Sequence, residues 1–398
     1  MATAQVSNMS EDILWGVELS CFTLKLQACL QYAGRPYRRL PDQGGYLENT
    51  RTILSLELAK HRKQVTRYPS FNANLDEYPA VPFLSHDGEH FQYDTSAIAQ
   101  WLDAQQAHTH AALFPEKPAL RFIAQLIDEA FDEFGLYMVH HMRWVGSAKS
   151  NQMGKRLAKE FSHALPPTGP WVLSKSFPRR QVRRCPYLFS VAPKHYKSGV
   201  PKALTPPSRE GFPETHTLLN HSWKQYLQNM ETILAKQAYL LGDQFTIADA
   251  SAYGQLGMNL VDPETAKKMQ QIAPHTFAWL NRIYQKQHLQ KAPAQLYLSK
   301  DIKPLLNTIM LTFSALMVQN AKAFKLLRQQ GETSFNEVAF DQGKALYDGK
   351  LCGYPFRSVV KTFQVRVWEE LQSSWALLTD LEKDEVKSVI ELCELFEV

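Results

Sequence analysis

Residues 78–102 read YPAVPFLSHDGEHFQYDTSAIAQWL, and the structure this stretch can adopt decides how the rest of the chain is organised. Ala80, Val81, Phe83 and Leu84 form a short apolar run, His86-Asp87-Gly88 is a turn signal, and His90 to Tyr93 can return as a second strand. Asp94 and Thr95 then open an apolar-periodic helix carrying Ala97, Ile98, Trp101 and Leu102. The reading is a hairpin feeding a helix. Pro82 has no N–H to give to a ladder, so it argues for an edge strand or a kink.

Upstream, residues 13–17 read as a first strand. Glu18-Leu19-Ser20-Cys21 leads into an apolar-periodic helix (Phe22, Leu26, Cys29, Leu30, Ala33) closed by Gly34, and residues 36–40 read as a second strand. Strand, helix and strand in that order suit a parallel βαβ unit, to which the hairpin adds two more strands. The connection at 41–77 is long and holds one helix near 47–62.

Downstream, a polar linker with Pro115 and Pro118 marks a domain boundary. The pattern then becomes helical: Phe122, Leu126, Ile127, Ala130, Phe131 and Phe134 make an apolar stripe, with Asp128, Glu129, Asp132 and Glu133 expected to face elsewhere. Residues 165–213, rich in proline and basic side chains, read as an irregular insertion. Helices resume at 215–236, and Thr246-x-x-Asp249 is a capping box ahead of an apolar helix. Two long helices are expected at 305–327 and 356–378, with turns at Asp348-Gly349 and Gly353-Tyr354-Pro355; Phe363, Trp368 and Trp375 are assigned to core packing.

A chain of 398 residues implies at least two domains, and 44% apolar with 21% charged residues is ordinary globular composition. No run of about 18 uncharged apolar residues occurs, so no membrane span is expected. The start, MATAQVSNMSEDILWG, lacks the cationic and then apolar layout of a secretory leader. Five cysteines, odd in number and not at metal-ligand spacing, point to a reducing, cytoplasmic setting. No CxxC or glycine-rich phosphate loop is present, so neither a metal nor a nucleotide is expected. The net charge of +5 is localised: residues 170–208 hold eight Lys/Arg and no acid. Such a segment can meet an anionic substrate or nucleic-acid phosphates, aided by Trp171, Phe177, Tyr187, Phe189 and Tyr196. Without a nucleic-acid fold motif beside it, a solvated arm is the simpler reading.

Val81-Pro82 before the hairpin, then Asp94-Thr95, Ala97-Ile98 and Trp101-Leu102, resembles the VP…(E/D)(S/T)xAIxx(Y/W)L signature of the thioredoxin-like domain of cytosolic glutathione S-transferases. Ser20-Cys21-Phe22-Thr23-Leu24-Lys25-Leu26-Gln27 is similar to the SPFSxKVR or SSCSxRVR helix entrance of their serine-type, bacterial-like members. LLGDxxTxADxxxYG, ending at Gly254, is similar to the helix opening of their all-helical domain. The resemblance covers about the first three quarters of the chain. It implies a thioredoxin-like α/β domain at 11–105, an all-α domain at 112–293 interrupted by the insertion, and a helical extension at 301–398.

It also implies that Val81-Pro82 is cis and that glutathione is the co-substrate. An extended tripeptide would pair with the Val81 backbone beside Pro82, its carboxylate meeting Thr95 at a helix N-terminus and its ammonium meeting Asp94. A thiol of pKa near 8.5 is only about 3% ionised at neutral pH, and lowering it by two units requires roughly 2.7 kcal/mol. A helix N-terminus supplies about 0.3–1 kcal/mol and a hydrogen bond to the sulfur about 1.5–3. Ser20 stands where that hydroxyl belongs, and the thiolate would attack a small hydrophobic electrophile. The electrophile pocket is expected between the domains, walled by Tyr137, His140, His141, Arg143 and Trp144. A homodimer is what the family implies.

The chain departs from the family at Cys21, where proline or serine is common, at Gln27, where arginine is common, and in the length of 41–77. Trp15 stands where tyrosine-type members carry their phenol. Two alternatives stay open: a Cys21-dependent thiol oxidoreductase, and a non-catalytic module of the same fold that uses the scaffold and the basic segment for protein or nucleic-acid interaction.

Overall fold

The computed structural model describes residues 11–67, 75, 78–105, 112–289 and 295–397. The first ten residues and the domain boundary expected at 293 lie outside them.

β1 (Asp12–Trp15), α1 (Cys21–Tyr32) and β2 (Tyr37–Leu40) form the expected βαβ unit, its strands parallel with Asp12 opposite Tyr37 and Trp15 opposite Leu40. After α2 (Tyr46–His61), β3 (Phe83–Ser85) runs antiparallel to β1, and β4 (Phe91–Gln92) antiparallel to β3. The sheet order is β2-β1-β3-β4, and α3 (Thr95–Gln105) follows. The hairpin turn is held by its own side chains: Gly88 N–H donates to Ser85 Oγ, and Glu89 and His90 N–H both donate to Asp87 Oδ1, each at 2.8 Å. One expectation needs correcting. β3 is an inner strand, and Pro82 sits just before it, so the missing N–H removes no ladder bond and no edge is required.

The remainder is mostly helical. α4 (Pro118–Ala130) starts on a proline, which suits a first-turn position, and continues through a wider turn into α5 (Leu136–His141). The segment read as irregular contains helix: α6 (Met153–Glu160) precedes it and α7 (Gly169–Arg183) lies inside it, with Pro178 within the helix. Proline clusters made the stretch look broken, but the intervening Lys, Arg, Gln and Leu are good helix formers. α8 (His216–Leu234), α9 (Ile247–Gly257), α10 (Pro263–Ile272) and α11 (Pro274–Tyr284) complete the second layer.

α1 packs face to face on α9, and the contact depends on Gly254. A Cβ there would lie 2.7 Å from the Cys21 carbonyl and 2.8 Å from Lys25 Cβ. The opening of α9 rests on Asp249, whose Oδ2 accepts from Thr246 N–H (3.0 Å) and Thr246 Oγ1 (2.9 Å) while Oδ1 accepts from Leu240 N–H (2.9 Å).

In the extension, α12 (Lys303–Ile309) and α13 (Ala315–Gln329) form one rod, followed by α14 (Glu337–Asp341). The run Lys300–Gln329 is long and apolar enough to cross a membrane, yet 67% of its most apolar window is buried, and it serves as a core helix. The second long helix was expected from residue 356; instead β5 (Leu346–Leu351) and β6 (Tyr354–Val359) make a hairpin turning at Cys352-Gly353, and α15 (Thr362–Ala376) starts later, with α16 (Asp380–Lys387) after it. Asp348 and Gly349, read as a turn, lie in β5; Tyr354 and Pro355 lie in β6. Trp368 and Trp375 are core residues of the same cluster as α1, α4 and α9, with Trp375 ring 5.4 Å from Phe122. The extension is thus built into the core.

Thr246→Ala removes one cap donor and should cost about 0.5–2 kcal/mol, whereas Asp249→Ala strands three donors and should cost at least about 3 kcal/mol. Denaturant melts of the two variants check the order; equal losses would show that the carboxylate does not hold the helix opening.

Candidate functional site

Ser20 is the N-cap of α1, with extended backbone angles, and its Oγ accepts from Thr23 N–H at 3.4 Å. The hydroxyl proton remains available to a second partner. Val81 is half-buried, its bond to Pro82 is cis, and among the described residues neither its N–H nor its carbonyl has a backbone partner. Pro82 approaches the β1–α1 loop so closely that a Cβ on Gly16 would sit 3.4 Å from Pro82 Cβ and 2.7 Å from Thr23 Oγ1. Thr95 is the first residue of α3 and is buried.

A residue that sequence reading did not single out fixes these parts to one another. Lys25, one turn into α1 and fully buried, donates from Nζ to Asp128 Oδ1 (2.5 Å) and Asp132 Oδ2 (2.6 Å) on the helical layer and to Ser96 Oγ (2.8 Å) at the opening of α3. Burial alone would depress its ammonium; the Asp128 and Asp132 carboxylates instead hold it protonated, well above the usual lysine range. The acids of α4 therefore do not face solvent as expected. Asp128, Asp132 and Glu133 are buried, the last accepting from Gln364 Nε2 (3.0 Å) of α15. The one signal for Lys25 was the lysine of the SPFSxKVR pattern itself.

Cys21 is 3% exposed and faces α9. Burial first, then the charge of Asp132, pushes its thiol up to about 12. Burial therefore favours the thiol over the more nucleophilic thiolate.

Asp94, in the left-handed region at φ +69°, departs furthest from the expected role. Its Oδ2 accepts from Arg67 Nε (2.6 Å) and from Arg366 Nη2 (3.0 Å) of α15, and its Oδ1 from Ala97 N–H (3.2 Å). Glu370, one turn beyond Arg366, pairs with both arginines at 3.0 and 3.1 Å. Burial works against its ionisation, yet the two guanidinium groups hold the Asp94 carboxyl well below the usual carboxylate range. A ligand ammonium reaching this carboxylate would share it with both guanidinium groups.

The expected pocket wall is covered. Tyr137 stacks on Phe189 (5.3 Å), His141 Nδ1 meets Ser190 Oγ (2.8 Å), and Trp144 packs on Phe177 (5.9 Å), all partners from the segment between α5 and α8. Arg143 pairs with Asp262 (3.0 Å) and donates to the Leu19 carbonyl (3.1 Å). Met153, Leu157, Val182 and Cys185 fill the space against Val17, Leu19 and Trp144; Phe161 and Val81 both pack against this cluster, and the Phe161 ring meets Trp15. Glu160 accepts from Glu18 N–H and Arg39 Nη1, each at 2.8 Å, and so ties the end of α6 to the β1–α1 loop and β2. A cleft of about 190 Å³ remains beside it, lined by Glu18, Leu19, Arg39, Arg156, Met258 and Tyr284; it does not include Ser20, Val81 or Thr95.

Asp94 gives a signed pH dependence. With its folded pKa below the unfolded value, its contribution is complete above about pH 4 and is lost as pH falls further. Asp94→Asn should cost about 3–5 kcal/mol at neutral pH, and the gap to the parent should close toward pH 3 in urea melts. A gap that stays constant with pH would contradict the ion-pair assignment.

No curated protein matches the chain. Among solved structures, a beta-etherase from Sphingobium sp. strain SYK-6 is 15% identical, with a TM-score of 0.42 over 70% of this chain and 96% of that one. A glutathione S-transferase from Pseudomonas fluorescens is 16% identical, with a TM-score of 0.36 over 69% and 94%. One from Ceriporiopsis subvermispora in complex with glutathione is 15% identical, with a TM-score of 0.39 over 71% and 99%. The family model "Glutathione S-transferase, C-terminal domain" matches residues 204–287, which span α8 to α11. Residues 204–287 thus match the C-terminal domain of glutathione S-transferases, and they follow a β2-β1-β3-β4 sheet.

Proposed function

We propose that the chain is a glutathione transferase-like enzyme in which Ser20 stabilises the thiolate, while the Val81 backbone beside Pro82 and the Thr95 end of α3 hold the tripeptide. The observation that carries this reading is the Lys25 bridge, which binds the opening of α1 to the opening of α3 and so keeps a hydroxyl and a helix N-terminus on one ligand. A hydrophobic electrophile is the natural second substrate, as in the sequence reading, and Cys21 is left as a packing residue. Ser20→Ala should lower conjugation of a chloronitroaromatic about 10- to 100-fold, the loss of one hydrogen bond to a charged sulfur, and Cys21→Ala should leave it within about twofold. The opposite pattern would overturn the serine assignment.

Asp94 has a different part from the one its sequence position suggested. It carries Arg366, so the C-terminal extension is latched onto the subsite for the glutamyl head. Arg366→Ala frees one side of the carboxylate and should tighten glutathione at least about fivefold by calorimetry, a gain of roughly 1 kcal/mol. Unchanged or weaker affinity would mean the arginine does not obstruct the head.

One observation favours the non-catalytic reading: Met153 and Leu157 of α6, with Val182 and Cys185 of the insertion, fill the space where an electrophile would stand. Retention on immobilised glutathione without turnover would select it.

A further inference from the structure

The positive charge of the chain sits in one place. Residues 148–208 contain 12 Lys/Arg and a single acid, Glu160, which leaves the rest of the chain six charges negative. Glu160 points inward to Arg39 and the Glu18 amide, so it does not neutralise the outer face. On α7, Trp171, Lys175, Arg179 and Arg183 fall at i, i+4, i+8 and i+12, on one side of the helix, with Val172 and Arg180 adjoining. Trp171 is 69% exposed and Val172 52%; the four cations are exposed, and among the described residues none has an acidic partner. α6, packed beside α7, adds exposed Lys155, Arg156 and Lys159.

The aromatic side chains that could have served as base-stacking platforms are used internally. Phe177 packs on Trp144, Tyr187 on Phe340, Phe189 on Tyr137 and Tyr196 on His216. What remains outside is a dense cationic face with one indole and one valine at its end. A nucleic acid would use the cations, but of the five aromatic side chains only Trp171 is left to stack a base, and Val172 beside it adds nothing. A bilayer surface uses both: the cations meet anionic headgroups, and the indole enters the headgroup–acyl boundary.

We propose that the α6–α7 face is a docking surface for anionic phospholipid membranes, with Trp171 as its apolar anchor. The inference is independent of the role given to Ser20.

The test is co-sedimentation of the full chain with phosphatidylcholine vesicles with and without about 30% phosphatidylserine. The parent should bind only the anionic vesicles, release them between about 0.05 and 0.5 M salt, and show blue-shifted tryptophan emission on binding. K175E/R179E/R180E/R183E should bind at least about 100-fold more weakly, at about 1 kcal/mol per cation, and the milder K175Q/R179Q should show a smaller loss in the same direction. Trp171→Ala should weaken binding about tenfold. All these side chains are exposed, so melting curves should match the parent. No association with anionic vesicles, equal association with neutral ones, or binding untouched by charge reversal would each overturn the proposal. So would tighter binding to a DNA duplex at equal ionic strength with Trp171→Ala unchanged, which would assign the face to nucleic acid.

Discussion

A lysine ammonium with no water around it is the constraint on which the arrangement depends. Lys25 can stay charged at the centre of this chain only because Asp128 and Asp132 lie within 2.6 Å and Ser96 completes its hydrogen bonding. Removing water from such a group is expensive, and the attraction between close partners must offset it, so the geometry tolerates little drift. The three partners come from α4, its continuation and α3. Their convergence on α1 therefore sets where Ser20 and Thr95 stand relative to one another, and Gly254 lets α9 close on the same helix from the other side.

A second ionic lattice acts at the far side of the sheet. Asp94, Arg67, Arg366 and Glu370 alternate in sign and connect the hairpin's end to α15. Together with Glu160 on Arg39, it means that α6, just ahead of the insertion, and the extension each close on the thioredoxin-like domain through a buried charge pair. Of the four residues proposed to meet a tripeptide, Asp94 also holds the extension, through Arg366.

Local order was legible in the sequence and long-range pairing was not. The hairpin at 83–92 could be read because turn residues and alternation act within a few positions, and the opening of α9 because a capping box spans three residues. Arg366 and Asp94 are 272 positions apart, and nothing in either neighbourhood marks the other. The acids of α4 were misread as solvated because periodicity reports which residues are apolar, not which charges will be matched by a buried lysine from another layer. The hairpin of β5 and β6 was hidden by Asp348-Gly349 and Tyr354-Pro355, which carry turn chemistry yet lie within the strands. For the candidate site, position was legible at Ser20, Val81 and Thr95; the occupation of Asp94 and the filling of the interdomain space were not.

The most direct measurement is a crystal structure of the full chain grown with glutathione. The proposed site predicts the cysteinyl sulfur within hydrogen-bond reach of Ser20 Oγ, the tripeptide backbone paired with Val81, and its glutamyl carboxylate on Thr95. A tripeptide bound away from these three residues, or crystals saturated with glutathione that hold none while the Arg366–Asp94 pair stays closed, would contradict it.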